Sequence, residues 1–142
     1  MMWSEVAALL APVRTYWLGT VDAGAAPHAV PVWSATVDDV FYLFGERRAK
    51  RFRNLEANPA VVLHLESGDA VCIVRGTAID VGAPADHPGV MAAFAAKYTD
   101  PDDAQWLPDV DPTVDIVARL EPSIAMVWSS TDFEGSQRRW RA

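Results

Sequence analysis

Two apolar runs joined by two small residues constrain this chain more than any other feature. AVVLHLE (60–66) and DAVCIVRGTAIDV (69–81) flank Ser67-Gly68. Runs rich in β-branched residues around such a pair read as an antiparallel hairpin. The pattern recurs upstream, where TYWLGTVD (15–22) and HAVPVWSATV (28–37) flank DAGAA, and Asp38-Asp39 turns the second into VFYLF (40–44). Downstream, VDIVARLEPSIAMVWSS (114–130) predicts a long strand bent or bulged near Pro122, because proline cannot donate to a ladder. Helical spacing is confined to 3–10, 48–56 and 90–98, with one turn possible at Asp102–Leu107. A parallel sheet needs a helix between most strands, and too few are present. The expected fold is therefore mainly β: one domain (1–142), a six-or-more-stranded antiparallel barrel, closed or partly closed because closure removes exposed edges.

Charge is distributed unevenly. The chain carries 12 Lys and Arg against 19 Asp and Glu, a formal charge of -7, yet five of those bases fall within Arg47–Arg53 of GERRAKRFRN. Ala49, Phe52 and Leu55 form a packing face, and Arg47, Lys50, Arg53 and Asn54 fall on the other side. Grouped cations at a helix start suit a small anion such as a phosphate; the alternative is a solvated face balanced by acids from elsewhere in the chain. An acidic protein lacks the broad basic surface that nucleic acid demands, so no nucleic-acid partner is expected. No run approaches the ~20 apolar residues of a membrane span. MMWSEVAALLAP has no basic leader region and reads as a helix of the fold. Cys72, the single cysteine, suits a reducing compartment, so a cytoplasmic location is expected.

HAVPVW is the second notable stretch. Alternation sends Ala29, Pro31 and Trp33 one way and His28, Val30 and Val32 the other. A tryptophan beside a proline-interrupted strand can flank a flat ring, though a core tryptophan next to an edge proline explains the same pattern. His28, His64 and His87 have no metal-ligand spacing, and no nucleophile motif, dinucleotide loop or P-loop is present.

Taken together, YWLGTVDAGAAPHAVPVW, VFYLFGERRAKRFRNLEANPAVVLHLE, DAVCIVRGTA and the ending EPSIAMVW…RRWR resemble the pyridoxamine 5'-phosphate oxidase-like family of FMN- and deazaflavin-binding split barrels. The ending is similar to that of its actinobacterial deazaflavin-dependent branch. The resemblance covers residues ~10–81 and 114–141. It implies a Greek-key split barrel, a homodimer with cofactor in the groove between subunits, and hydride transfer between FMN or a deazaflavin of the coenzyme F-420 type and a small organic substrate. A non-catalytic flavin carrier is the alternative. By the same resemblance Val30, Pro31, Val32 and Trp33 run along the ring. Lys50 and Arg51 hold the phosphate, Arg48 is close enough to join them, and Arg53-Asn54 follow. Trp128, Arg139 and Trp140 lie at the interface or over the cofactor. No residue stands out as a catalytic proton donor.

Overall fold

A computed structural model describes residues 1–142. In chain order the elements are α1 (Trp3–Leu10), β1 (Tyr16–Val21), β2 (Pro27–Val32), β3 (Ala35–Val37), β4 (Val40–Gly45), α2 (Lys50–Ala57), β5 (Ala60–His64), β6 (Ala70–Gly82), α3 (Pro88–Lys97), β7 (Ile116–Ser129), α4 (Phe133–Ser136) and β8 (Arg138–Arg141). All eight strands join one antiparallel sheet, in the order β2-β1-β5-β6-β7-β4-β3, with β8 added alongside β7. The end strands β2 and β3 are linked by only Trp33 and Ser34. The sheet must therefore curl until its two edges meet at one corner and diverge beyond it, which is a split barrel.

Period-two burial builds the interior. Tyr16, Leu18 and Thr20 of β1 and Phe41 and Leu43 of β4 are buried, and they join Leu63, Cys72, Val74, Ala118, Leu120 and Ala125. Phe52 enters this core from α2, with Ala49 and Leu55 packed against it, as the spacing predicts. A smaller cluster of Ala35, Val90, Met91, Phe94, Tyr98 and Val117 seats α3 on β3. Ala95 is exposed, and Tyr98, just past the end of α3, completes the packing face.

Proline and glycine shape the sheet. Pro31 lies in β2, an edge strand, opposite Trp17, where its missing N–H can face outward. The long β6–β7 ladder slips register between Arg75 and Gly76, with Gly76 facing Pro122. A side chain at Gly76 would run into the Glu121 carbonyl oxygen, so only glycine fits the bend beside Pro122. One expectation is corrected: the strand predicted over 28–37 breaks at Trp33-Ser34. The tail beyond 130 forms α4 and β8.

Candidate functional site

The cationic segment begins where β4 ends. Gly45 closes β4, and a Cβ there would lie 2.5 Å from the Phe52 ring and 2.6 Å from Arg51 Nη2, so the missing side chain lets the first turn of α2 fold back over the strand. Ala49, the N-cap, offers no capping side chain. The N–H groups of Phe52 and Arg53 bond the Ala49 carbonyl, whereas those of Lys50 and Arg51 have no partner. Free first-turn amides carry the positive end of the helix dipole.

Arg51 is the distinctive side chain of this segment. It is half-buried, its guanidinium lies 5.1 Å from the Phe52 ring centroid, and Nη2 reaches the Phe44 carbonyl only at 3.4 Å. Its Nε is buried without any acceptor. Burial lowers its pKa, and Glu46 pulls weakly the other way. A guanidinium that is desolvated, unpaired and next to free amides is a site an anion would satisfy.

The other four bases of the cluster separate. Arg47 turns away to pair with Asp80, and its backbone N–H bonds Asp115 Oδ1 at 2.7 Å. Arg48 is 86% exposed and reaches only Glu46, at 3.3 Å. Lys50 lies 3.7 Å from Asp22, whose other oxygen accepts the Gly24 and Ala26 N–H groups. Arg53 is exposed and has no carboxylate partner. Acids pair with Arg47, Arg48 and Lys50, whereas no carboxylate forms an ion pair with Arg51 or Arg53.

Asn54 does not share the cationic side. It is 3% exposed, and its Nδ2 donates to Thr20 Oγ1 at 3.0 Å. This bond ties α2 to β1, so Asn54 fixes the helix to the sheet.

The residues expected along a ring lie on the neighbouring edge. β2 runs antiparallel to β1, from Pro27 opposite Val21 to Val32 opposite Tyr16. It therefore leads away from the Asp22–Lys50 contact toward the corner, with Pro31 exposed and Val30 and Val32 half-buried. Trp33 follows at the corner, but one face is already covered. It stacks on Tyr98 at 4.1 Å and 8°, and the Arg14 guanidinium stands 5.3 Å from its centroid. Within the chain Trp33 belongs to the α3 cluster, which agrees with the core-tryptophan explanation.

Around this corner lies a polar cluster that the sequence analysis did not single out. Lys97 Nζ donates to Tyr16 Oη and to the Ser34 carbonyl, both at 2.7 Å, with the Tyr16 and Tyr98 rings 4.7 and 5.2 Å away. No carboxylate pairs with it, and burial pushes its ammonium down to about 8. Ser34 N–H donates to Tyr98 Oη, which donates to the Arg14 carbonyl. Arg14 grips Asp103 through both nitrogens, at 2.9 and 2.7 Å, holding that carboxyl below its ordinary range. The available signal was Lys97-Tyr98 ending a helix otherwise free of charge.

The C-terminal candidates divide between two faces. Trp140 faces Ala125 across the β7–β8 ladder and packs on Trp3 at 4.8 Å, half-buried against the core. Arg139 faces Met126 on the outer surface. There Pro31, Trp17, His64, Ile73, Met126 and Arg139 stand in one cross-strand row spanning six strands. Trp128, two residues beyond Met126, meets Phe133 edge-on at 5.7 Å. No three His, Cys, Asp or Glu side chains converge to hold a metal, and no helix is long and apolar enough to cross a membrane.

Comparison with known proteins agrees with this architecture. The family profile described as pyridoxamine 5'-phosphate oxidase matches residues 2–121. No curated protein matches the chain. Similar solved structures include a conserved hypothetical protein from Mycobacterium tuberculosis, with TM-score 0.72, 20% identity and coverage of 91% of this chain and 85% of that one. A haem-binding protein from Mycobacterium smegmatis has TM-score 0.74 and 16% identity; the match spans 98% of this chain but 57% of that one. An F-420 reductase has TM-score 0.65 and 21% identity, with 83% of this chain and 93% of that one covered.

Proposed function

Because the chain belongs to the pyridoxamine 5'-phosphate oxidase family, we propose that it is an oxidoreductase that binds a phosphate-bearing deazaflavin of the F-420 type, with FMN as the second choice, and transfers hydride to or from a small organic substrate. The observation that carries this reading is the unpaired, buried Arg51 Nε beside the free N–H groups of Lys50 and Arg51. These donors fit a phosphate, and Lys50 adds a mobile charge at the rim. Arg53 remains free for a more distant anionic group, and Arg48 can swing in from solvent. The β2 edge from Val30 to Trp33 leads away from the phosphate site, so a flat ring extended from it would lie along Val30, Pro31 and Val32. A flavin-type ring supplies the hydride chemistry itself; the chain's share is to anchor, orient and exclude water.

The outward row through Trp17, His64, Ile73 and Met126 is where a second copy docks. It presents apolar surface on an open sheet face, and the β2 edge borders it through Pro31. A homodimer there closes the groove over the cofactor. Ile73→Glu places a charge in the middle of that face, and sedimentation is expected to show a dimer for the parent and a 15.5 kDa species for the variant. A monomeric parent with cofactor bound would remove this part of the reading.

Fluorescence titration with FMN, the deazaflavin coenzyme and haem tests the cofactor. Lys50→Ala/Arg51→Ala removes two charge-assisted contacts, each worth roughly 1.5–3 kcal/mol before non-additivity, so affinity is expected to fall at least about tenfold. Glu56→Gln, on the exposed side of α2, is the control. Equal affinity in parent and double variant, or binding of haem alone, would overturn the assignment. Single-turnover absorbance with reduced cofactor and a panel of enones and quinones then separates an enzyme from a carrier, since a carrier binds without reoxidation.

A further inference from the structure

A second feature lies outside the proposed cofactor site, on the far side of α3. From Pro88 through Ala96 this helix carries no charged or hydrogen-bonding side chain. A helix that is apolar all round is normally covered on every side. Here Val90, Met91 and Phe94 face the interior, while Pro88, Ala92 and Ala95 are exposed at spacings of four and three. Their small size leaves a trough. Its opposite wall is the 108–114 loop, where Pro108 is buried and Val110 is 56% exposed. The resulting groove has a volume of about 850 Å³, room for the side chains along about two turns of a peptide helix.

The charge around the groove has one sign. Asp109, Asp111 and Asp115 line it, with no base. None of the three forms an ion pair. Asp111 bonds Thr113 and Asp115 accepts the Arg47 N–H. Arg47 is paired with Asp80 and also feels the charge of Asp115, while Arg14 is held by Asp100 and Asp103 and Lys97 by Tyr16 and Ser34, so no cation pairs with Asp109 or Asp111. An apolar floor with an anionic rim that forms no ion pair complements a ligand having an apolar stripe flanked by Lys or Arg. The same rim repels nucleic acid and anionic lipid.

We propose that the outer face of α3 and the 108–115 loop form a docking groove for a basic amphipathic peptide segment of another protein. The apolar stripe of the segment would lie on Pro88, Ala92 and Ala95 against Val110, and its cations would meet Asp109, Asp111 and Asp115. This site is independent of the cofactor reading and survives if that reading fails.

Fluorescence anisotropy with a labelled helix-forming peptide of about 14 residues, built of Leu, Ala and Lys with the leucines on one face, tests the groove. A scrambled peptide of equal charge and a Glu-for-Lys version are the controls. The amphipathic peptide is expected to bind at least about tenfold tighter than the scramble, and the acidic version not at all. Ala95→Glu is the decisive variant: it keeps a good helix former at an exposed position and makes the protein more acidic, yet it blocks the floor. Groove docking predicts at least about tenfold weaker binding, whereas non-specific attraction to an acidic protein predicts equal or tighter binding. Asp109→Asn/Asp111→Asn should weaken binding about fivefold and flatten its salt dependence. If Ala95→Glu fails to fold by circular dichroism, amide chemical shifts of the parent decide the matter, with perturbations expected within 83–115. Binding of the scramble as tight as the amphipathic peptide, undiminished binding by Ala95→Glu, shifts elsewhere, or self-association through this face would each overturn the proposal.

Discussion

Burial of Lys97 without a carboxylate makes a pH dependence that can be worked through. The ordinary value of 10.5 falls to about 8 in the fold because burial penalises the ammonium. Between those values the unfolded chain binds more protons than the native one, so stability rises with pH through this window. Below about pH 8 both states are protonated and the full cost of burying the charge is present. At about 1.4 kcal/mol per pH unit, that cost would be roughly 3 kcal/mol. The side chain keeps partial contact with water, so about half is expected in practice. Lys97→Met retains the stem and removes the charge. Tyr16 Oη keeps its bond to the Leu10 carbonyl at 2.6 Å, whereas the Ser34 carbonyl loses its Lys97 donor, the single Tyr98 Oη proton being given to the Arg14 carbonyl; that cost is the same at every pH and drops out of the slope. Urea denaturation of both proteins from pH 7 to 9.5 is the assay. The parent should gain about 1 kcal/mol relative to the variant across that range. Taking the difference cancels Cys72, Tyr16 and Tyr98, whose raised values pull stability down at higher pH. A parent-minus-variant difference that is flat, or that falls, would mean that Lys97 carries no burial penalty in the fold.

Two further perturbations test the frame around the site. Asn54→Ala leaves Thr20 Oγ1 buried without its donor and should cost about 1–3 kcal/mol, read as a lower urea midpoint with unchanged slope. Gly76→Ala drives a methyl into the Glu121 carbonyl at the β6–β7 bend; a loss of at least about 2 kcal/mol is expected, and a thermal midpoint within a degree of the parent would mean that the bend relaxes freely.

The elements that the sequence made legible are those decided by neighbours along the chain. The β5–β6 hairpin follows from Ser67-Gly68, where Ser67 Oγ accepts the Asp69 and Ala70 N–H groups. The edge position of β2 follows from Pro31. The break at Trp33-Ser34 was hidden because its cause is distant: Ser34 is held by Tyr98 and Lys97, more than 60 residues away, and by Tyr42. β8 was hidden because Arg138–Arg141 is a strand only through its ladder to Ile124–Val127. At the candidate site the cationic segment was visible as composition. Which base is unpaired was not: Asp80 claims Arg47 from 33 residues away, and Thr20 draws Asn54 inward from 34.

If the first turn of α2 holds the cofactor phosphate, as proposed, ¹⁵N NMR reads the donors directly. On titration with FMN or the deazaflavin coenzyme, the Arg51 Nε–H resonance is predicted to shift downfield and to exchange more slowly with solvent, together with shifts of the Lys50 and Arg51 backbone amides. Inorganic phosphate alone should shift the same three signals at higher concentration. Saturable cofactor binding that leaves all three unmoved would mean that the phosphate is held elsewhere.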